Sequence, residues 1–414
     1  MSTKLPLALS ERMFAEAKTL VPGGVLGIRR PYNFVPGEYP VFLDRAQGGR
    51  IWDVDGNEYV DMLAAYGPII LGYREKEIDD AVIAQMEKGF CMSLVQPCQN
   101  ELVRKLRQLI PCCEKAILVK TGSDATTCAI RIARGYTDKL KILRCGYHGW
   151  HDWCVETHGG VPAKLYEDTH EFEYNNLESL DRLLAAHRGN VAAIIVTPVG
   201  HPLGHAVQAP RPGFLEGVRE RATAAGIVLV FDEIRSGFRV SLGGAQQRYG
   251  VTPDLACFGK AIANGYPLSA VVGKSAVMDV VESKVFISST FFPNSLEMAA
   301  ALKTIEILER EKTLDTLWER GAKWLAEVDE IVKRSGVAAE LTGIPPMPFI
   351  IFPADPEKKY RARRTLFYTE LIRRGVFLQP FHHGYIMARH TDADLRQAAK
   401  GIEEALAEVK KQLP

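Results

Sequence analysis

The chain has 414 residues, in which 51 lysine and arginine side chains nearly balance 50 aspartate and glutamate side chains. A chain of this length exceeds what one simple core supports, so we expect a large domain and a smaller one. The net charge of +1 excludes a strong electrostatic attraction to nucleic acid or to anionic membranes. Small molecules are therefore the expected partners.

The sequence shows no signal for export or membrane insertion. Its first 18 residues lack a basic region followed by a long apolar run, and no stretch of eighteen apolar residues occurs. The eight cysteines show no paired C-x-x-C spacing for zinc and are too few for a disulfide scaffold in so long a chain. These features predict a soluble, cytoplasmic protein with reduced thiols.

Two histidine pairs have spacings that a metal ion could use, His148 with His151 and His201 with His205. Neither pair has a third ligand nearby in the sequence, whereas protein zinc sites use at least three protein ligands. We therefore predict no metal.

The N-terminal region predicts a helix and then a hairpin. Residues 11–20 have a helical pattern with Ser10 as N-cap, and "PGG" at 22–24 ends it. Apolar and polar residues then alternate on both sides of Asp55-Gly56, which indicates a β-hairpin.

Between about residues 75 and 275, short apolar runs alternate with helical stretches. Such runs are typical of strands buried on both faces, and their alternation with helices predicts a largely parallel sheet. The runs lie at 116–119, 141–145, 192–196, 227–231, 255–258 and 269–273.

The C-terminal part predicts an α+β lobe. It has a long helical region at 296–336, strands near 347–352 and 376–378, and a last helix from about 392 to 412. We therefore expect an N-terminal arm and small-domain segment at 1–70, a large domain at 71–305 and a C-terminal small domain at 306–414.

The first candidate site element is a helix that starts directly after an apolar strand. Helical spacing of apolar residues begins at Ala125, which places the helix start at Gly122-Ser123. Glycine permits close approach of a ligand, and the free amides and helix dipole favour a phosphate. An ordinary N-cap is the alternative, because serine and aspartate commonly cap helices.

The second element is Asp232-Glu233, which ends a fully apolar strand. Carboxylates at this edge of an open α/β sheet lie where ligands bind. One use is to hold magnesium in a P-loop NTPase, but in the nearest match, "VVGKS" at 271–275, the required earlier glycine falls on Leu268. The other use is to pair with a protonated pyridine nitrogen.

The third element is Lys260, which comes 28 residues after Asp232 and follows another apolar run. It is expected at the same sheet edge as Asp232 and the Gly122 helix start, although a lone lysine is more often simply exposed. Burial and nearby positive charge lower the pKa of a lysine, which lets it form a Schiff base with an aldehyde. A phosphate cradle, a ring-nitrogen carboxylate and such a lysine together describe a site for pyridoxal 5′-phosphate.

The sequence resembles the class III (fold-type I) pyridoxal-phosphate aminotransferases and, within them, the glutamate-1-semialdehyde aminomutase-like subgroup. The segments that carry the resemblance include "TGSDATTCAIRIARGYT", "YHGWHDW", "VFDEIRSGFR" and "FGKAIANGYPLSAVVG". The resemblance implies an α/β large domain with a mostly parallel seven-stranded sheet between helices. It also implies a smaller α+β domain built from the N- and C-terminal segments, and a homodimer with shared active sites.

The resemblance also assigns cofactor residues by position. Lys260 looks like the internal-aldimine lysine and Asp232 like the partner of the pyridinium nitrogen. Ile234 and Tyr147 stand where the family places side chains against the two ring faces, with a core aromatic as the alternative for Tyr147. The family's phosphate-binding positions fall on Gly122, on Ser123 and, from the second subunit, on Thr290.

On the substrate side, Arg30 stands where the subgroup has a carboxylate-binding arginine, with the adjacent Arg29 as the alternative. Arginine suits this role because its guanidinium pairs bidentately with a carboxylate. The other substrate candidates are Trp150 and the loop residues Phe381, His382 and His383. Trp150 and Trp153 either form an aromatic wall or pack in the core.

The chain also departs from the family. Thr197-Pro198 stands where family members usually have Glu-Pro, and the segment before Thr290 is shorter than the gating segment of the aminomutases. A short lid argues against an aminomutase, which must retain its intermediate.

We therefore predict a ping-pong aminotransferase that works through a Lys260 Schiff base, with an amino acid donor and a 2-oxo acid acceptor. Aromatic, β- and D-amino acids suit the His/Phe/Trp wall. The alternatives are a glutamate-1-semialdehyde 2,1-aminomutase and an amino-acid racemase or epimerase, with a P-loop-like NTPase and a non-catalytic homologue as remote ones.

Overall fold

The structure is a computed structural model that describes residues 2–27, 31–200 and 206–413. The helices in these ranges are α1 (Ala8–Leu20), α2 (Pro31–Phe34), α3 (Lys76–Glu87), α4 (Cys98–Leu109), α5 (Gly122–Thr137), α6 (Leu177–Ala186), α7 (Phe214–Ala224), α8 (Ala245–Tyr249), α9 (Ser275–Met278), α10 (Leu296–Arg310), α11 (Thr313–Ser335), α12 (Lys359–Arg373) and α13 (Asp392–Gln412). The strands are β1 (Leu43–Gln47), β2 (Arg50–Asp53), β3 (Glu58–Asp61), β4 (Lys115–Val119), β5 (Lys141–Cys145), β6 (Thr169–Glu171), β7 (Val191–Val196), β8 (Val228–Asp232), β9 (Leu255–Phe258), β10 (Ser269–Gly273), β11 (Glu340–Ile344), β12 (Met347–Ile351) and β13 (Val376–Phe377).

These elements fall into two compact units. One takes its described residues from Met1–Glu75 and Asp315–Pro414, with residues 206 and 207. The other takes them from Lys76–Pro202 and Gln208–Leu314. The predicted domain boundaries at about residues 70 and 305 stay a proposal, because a domain is defined by independent folding as well as by compactness.

The larger unit contains a seven-stranded sheet in the order β4-β10-β9-β8-β7-β5-β6. Neighbouring strands from β9 to β6 pair in parallel, and β10 pairs antiparallel with both β4 and β9. All residues of β7 and of β8 are buried, as expected for parallel strands that are covered by helices on both faces. The predicted large-domain architecture is therefore confirmed.

All six apolar runs form strands at the predicted positions, namely β4, β5 and β7 to β10. The seventh strand, β6, was missed, because its sequence "THE" is polar and lies at the sheet edge, where no residue is fully buried. Edge position removes the apolar signal on which the prediction depended.

The smaller unit contains the predicted hairpin of β2 and β3, which extends into a sheet with the order β1-β2-β3-β13. The C-terminal strand β13 pairs in parallel with β3, with Val376 opposite Val60. N- and C-terminal segments therefore share one sheet, as the family resemblance implied.

The prediction of Ser10 as an N-cap was wrong. Helix α1 begins at Ala8, and the amides of Leu9 and Ser10 donate to the Asp55 carboxylate at 2.7 and 2.9 Å. The Ser10 hydroxyl instead accepts from the amide of Val41 at 2.8 Å. A carboxylate from the hairpin turn, distant in sequence, supplies the acceptor that the helix start requires.

Two C-terminal elements were also missed, β11 and α12. The sequence of α12, "KYRARRTLFYTELIR", mixes charged and apolar residues with a weak helical period. Within the described ranges, no helix is both long enough and apolar enough to span a membrane.

Candidate active site

The carboxyl ends of β8 and β9 bring two predicted residues together. Asp232 is the last residue of β8 and lies opposite Cys257 of β9 in parallel register. Lys260 follows β9 by two residues and begins a single 3-10 turn. Because parallel strands end at the same edge of a sheet, the carboxylate and the amine lie on one side of it.

Lys260 has the environment of a reactive amine. The residue is half-buried, and burial lowers the pKa of its amine to about 7, helped by the charges of Arg235 and Arg239 and opposed by Asp232. Its φ of +47° lies in the left-handed region, which residues with a side chain rarely adopt. Backbone strain of this kind concentrates at functional sites.

Sequence reasoning missed the two arginines that act on Lys260. Arg239 is fully buried, and the Nη1 atom of Arg235 is buried without a hydrogen-bond partner in the described structure. The guanidinium of Arg235 lies 5.9 Å from the ring centroid of Tyr147. In the segment "DEIRSGFR", the sequence analysis considered the two acids and gave the arginines no role, although the arginines follow the same strand end.

The lowered pKa predicts how Lys260 reacts as pH changes. In the cofactor-free chain, acylation of Lys260 should rise with pH and reach half its maximum near pH 7, because only the neutral amine is nucleophilic. Exposed lysines should reach it near their ordinary pKa of about 10.4. Peptide mapping by mass spectrometry after timed labelling measures both.

A matched variant tests the cause. Arg235→Met removes one nearby positive charge, so the labelling midpoint of Lys260 should move to higher pH. Labelling of Lys260 with the same pH profile as the surface lysines would contradict the assignment.

Asp232 is held from two directions. Its Oδ2 lies 2.7 Å from Nδ1 of His148, and its Oδ1 accepts from the amide of Ile234 at 3.1 Å. The carboxylate is almost completely buried. These contacts hold the carboxylate in place and satisfy one lone pair on each oxygen, since a buried carboxylate is stable only when it is hydrogen-bonded.

His148 is a site residue that the sequence reading considered only as a metal ligand. Its ring is buried and lies parallel to that of Trp153, with centroids 6.3 Å apart. His151 instead contacts Thr127, with Nδ1 and Oγ1 2.8 Å apart. Among residues 2–27, 31–200 and 206–413, no group of three histidine, cysteine or acidic side chains is placed to hold a metal.

Glu233, the second acid of the strand end, has a structural role. Its carboxylate accepts from the amides of Ala245 and Gln246 at 2.8 and 3.0 Å and from the hydroxyl of Ser236. Burial raises the pKa of this carboxyl. Glu233 thus caps the start of α8, while Asp232 alone faces the candidate site.

The start of α5 has the predicted form of an anion cradle. Thr121 is the N-cap, and its hydroxyl accepts from the amide of Asp124 in a capping box. In the described structure, the amides of Gly122 and Ser123 have no protein acceptor. An added Cβ at Gly122 would lie 3.1 Å from Cγ2 of Ile234, so the cradle lies beside the residue that follows Asp232-Glu233.

The loop of Tyr147 and His148 lies against this cradle. The amide of Trp150 donates to Oγ of Ser123 at 3.3 Å, and the hydroxyl of Thr126 donates to the carbonyl of His148 at 2.7 Å. Gly149 has φ of +114°, and a Cβ there would lie 2.3 Å from Oγ of Ser123. Only glycine allows this approach.

Thr197 follows the last residue of β7 and stands where the family usually has glutamate. It is buried, and its Oγ1 has no hydrogen-bond partner in the described structure. The carboxyl edge of the sheet therefore has a neutral hydroxyl at this position.

The remaining predicted residues of this unit lie in different environments. Thr290 is exposed, and Trp150 is 69% exposed. Trp153 is buried in the core, where its Nε1 donates to Oγ1 of Thr127 at 2.9 Å. Trp153 therefore packs in the core and does not form part of an exposed aromatic wall.

The other substrate candidates belong to the smaller unit or fall outside the described residues. Phe381 is half-buried, whereas His382 and His383 are buried and stack with centroids 4.7 Å apart. Arg30 and its neighbour Arg29 lie outside the described residues, as do His201 and His205. Their predicted roles stay predictions.

The "VVGKS" segment is no phosphate loop. Gly273 ends β10, an antiparallel strand, and Lys274 pairs with Asp254 at 2.6 Å. The amide of Ser275 donates to the carboxylate of Glu114 at 2.7 Å. These groups are engaged within the protein, which disfavours the NTPase interpretation.

Comparison with known proteins gives a consistent result. The family model for "Aminotransferase class-III" matches residues 34–406. The chain is 63% identical over 414 residues to the 3-aminobutyryl-CoA aminotransferase of Cloacimonas acidaminovorans (strain Evry), covering 100% of both chains. It is 33% identical to the glutamate-1-semialdehyde 2,1-aminomutase of Natranaerobius thermophilus, covering 97% of this chain and 98% of the other.

One solved structure has the same fold over nearly the whole chain. The FumI protein of Sphingopyxis sp. MTA144, described as a PLP internal aldimine form, aligns with a TM-score of 0.92 and 31% identity. The alignment covers 97% of this chain and 96% of that one.

Proposed function

Because the chain belongs to the class-III aminotransferases and is thus, as predicted, an aminotransferase that uses pyridoxal 5′-phosphate, we propose that the cofactor binds at the carboxyl edge of the large sheet. We further propose that the enzyme transfers the amino group of a 3-aminoacyl-CoA thioester to a 2-oxo acid. The single observation that carries the cofactor site is the lowered pKa of Lys260 beside the buried carboxylate of Asp232. The relative of 63% identity supports the substrate class.

The residues present fit the cofactor. Two amides at the start of α5 have no acceptor among the described residues, which suits a phosphate at a helix N-terminus. Asp232 presents a buried carboxylate that can pair with a protonated ring nitrogen, while His148 contacts its other side. The space between the cradle and Lys260 is lined by Ile234: a Cβ added at Gly259 would lie 3.0 Å from its Cδ1.

When bound, pyridoxal phosphate supplies an aldehyde that condenses with amines and a protonated ring that withdraws electrons from the carbon that loses a proton. Lys260 holds the cofactor through Nζ between turnovers. With the cofactor bound, the neutral Nζ of Lys260 would take the proton from the carbon that carried the amino group and later return it. A pKa of about 7 matches such a proton carrier to neutral pH.

Asp232 keeps the proton on the ring nitrogen, and His148 orients Asp232. Gly122 and Ser123 bind the phosphate through their amides, while Ile234 and Tyr147 flank the ring. With these roles filled, the reacting carbon would lie next to Lys260, the amine whose pKa burial lowers.

A thioester donor has no free carboxylate on the carbon chain that reacts. The neutral Thr197, in place of the family's usual glutamate, leaves a hydroxyl that suits an uncharged carbonyl. Arg30 then serves the second half-reaction, in which its guanidinium orients the carboxylate of the 2-oxo acid. The donor gains its carbonyl oxygen from water, and the acceptor loses its own as water, so the transfer balances.

A donor panel tests this function. With pyruvate and 2-oxoglutarate as acceptors, kcat/KM for 3-aminobutyryl-CoA should exceed that for free 3-aminobutyrate by at least about 100-fold, because remote binding energy lowers the barrier. Both enantiomers, aromatic and D-amino acids, and glutamate 1-semialdehyde complete the panel, and formation of the 3-oxoacyl thioester is followed by absorbance.

The same panel distinguishes the alternatives. Faster turnover of a free amino acid than of the thioester would overturn the substrate proposal. Isomerisation of glutamate 1-semialdehyde without release of an oxo acid would identify an aminomutase. Entry of solvent deuterium at the α-carbon without net transfer would identify a racemase.

We further propose a cytoplasmic homodimer with shared active sites. Thr290 is exposed between two exposed aromatic side chains, Phe286 and Phe291, which are 79% and 59% exposed in the single chain. Apolar side chains this exposed suit burial against a second copy, and the eight free cysteines suit a reducing compartment. Sedimentation analysis should give the mass of a dimer, and a monomer would contradict the shared site.

A further inference from the structure

The larger unit contains a partly buried guanidinium for which the described residues supply no acceptor. Arg235 follows β8 by three residues, and Nη1 of its guanidinium is buried without a hydrogen-bond partner in the described structure. No carboxylate of these ranges forms an ion pair with it. Arg144, which is partly buried in the same unit, instead pairs with Glu171 at 3.0 Å. A buried N–H group without an acceptor costs free energy, so we expect Arg235 to meet a ligand.

Arg235 also acts on the amine of the candidate site. Its charge and that of Arg239 lower the pKa of Lys260, after the larger effect of burial, and the charge of Asp232 opposes them. Charges act most strongly over a few ångströms in a partly dry site, so the guanidinium belongs to the surroundings of Lys260. Arg239 is fully buried, whereas Arg235 is only partly buried.

The loop that follows β5 runs across the candidate site from β7 to α5. At its start, a Cβ added at Gly146 would lie 2.4 Å from Oγ1 of Thr197. The imidazole in its middle contacts Asp232 at 2.7 Å. At its other end, a Cβ added at Gly149 would lie 2.3 Å from Oγ of Ser123, in the anion cradle. The end of β7, the end of β8 and the start of α5 therefore follow one another along this loop.

The shape of pyridoxal phosphate then determines where its ring oxygen would point. The ring nitrogen lies between two sides of the ring: one side carries the phosphate arm, and the other carries the hydroxyl oxygen, next to the carbon that bears the aldehyde. With the phosphate at Ser123 and the nitrogen at Asp232, the oxygen would point toward Gly146, at the start of the loop. Tyr147 is the next residue, and the guanidinium of Arg235 lies 5.9 Å from its ring centroid.

We propose that Arg235 binds the ring oxygen of pyridoxal phosphate as an anion and thereby keeps Nζ of Lys260, once it is joined to the cofactor, unprotonated near neutral pH. This inference rests on the cofactor site of the proposed function and does not depend on the substrate. A guanidinium suits the role because its N–H groups form strong hydrogen bonds with a charged oxygen. Nζ and the ring oxygen compete for one proton, so a positive charge beside the oxygen favours the loss of that proton.

Spectrophotometric titration of the holoenzyme tests this role. The cofactor absorbs at longer wavelength when the joined Nζ is protonated, so its absorbance reports that proton. In Arg235→Met, the midpoint of the titration should move at least about 1 pH unit higher, because a nearby positive charge no longer opposes protonation. Arg235→Lys keeps the charge and should move the midpoint less. Arg188→Met removes an exposed arginine of the same unit and should leave the midpoint unchanged.

A cofactor analogue without the ring oxygen tests the contact itself. Arg235→Met should weaken the binding of pyridoxal phosphate to the cofactor-free chain at least about 10-fold, because a charge-assisted hydrogen bond is lost. For 3-deoxypyridoxal phosphate the change should stay below about 2-fold, since this analogue offers the guanidinium no acceptor. Thermal unfolding shows whether the variant folds as the parent does, and Arg235→Gln repeats both measurements with a polar side chain if it does not.

An unchanged titration in Arg235→Met, or equal losses of affinity for the two cofactors, would overturn the proposal. A raised KM for the 2-oxo acid together with an unchanged titration would assign the guanidinium to the carboxylate of the acceptor instead. If borohydride reduction of the parent holoenzyme places no cofactor on residue 260, the cofactor site of the proposed function fails, and this inference fails with it. Cofactor on residue 260 with an unchanged titration in the variant overturns this inference alone.

Discussion

Replacing Lys260 with alanine should reduce kcat by at least about 10⁴-fold, because one side chain holds the cofactor and moves the proton. The cofactor should still bind through the α5 cradle and Asp232, so its absorbance should remain after desalting. Small primary amines added to the medium should restore part of the activity, since they can replace the missing base.

Lys400→Ala provides the control for this experiment, because Lys400 is exposed on α13, far along the chain from the site residues. Its activity should equal that of the parent protein. Lys260→Ala with activity within 10-fold of the parent would refute the assigned role. Borohydride reduction of the parent holoenzyme followed by peptide mapping should place the cofactor on residue 260.

The second large effect is expected for Asp232→Asn, which should lower kcat/KM by about 10³-fold. Asparagine has the shape of aspartate but no charge, so it does not keep a proton on the ring nitrogen. The measurement is steady-state kinetics with saturating cofactor, together with the cofactor dissociation constant.

A cofactor analogue methylated on the ring nitrogen separates charge from shape. It carries a permanent positive charge and should therefore reduce the difference between Asp232→Asn and the parent. Asp152→Asn removes an exposed carboxylate from the neighbouring loop and should have no effect. Unchanged kinetics in Asp232→Asn would contradict the proposed pairing.

The strand ends that carry the site could be predicted because their signals are local. The apolar runs before Gly122, Asp232 and Lys260 are contiguous, and each marks a strand of the sheet whose carboxyl end must reach the same sheet edge. The capped start of α5 is also encoded within four consecutive residues.

The partners of these residues were not predictable in the same way. His148 contacts Asp232 across 84 positions in the sequence, and Asp55 caps α1 across 46. Glu233 looks like a second site acid in the sequence, yet its carboxylate is directed at α8. No spacing rule encodes such pairs, because they depend on how separate elements pack.

By itself, the sequence determined that this chain forms a parallel-sheet protein with a lysine, an aspartate and an anion cradle at one edge, since burial and helix capping are written in neighbouring residues. Only the tertiary structure decided which acid faces the site, which histidine supports it and that Arg235 lies beside Tyr147 without a carboxylate partner in the described ranges. The physical reason is that charge, desolvation and hydrogen bonding act over a few ångströms of space, whatever the separation along the chain.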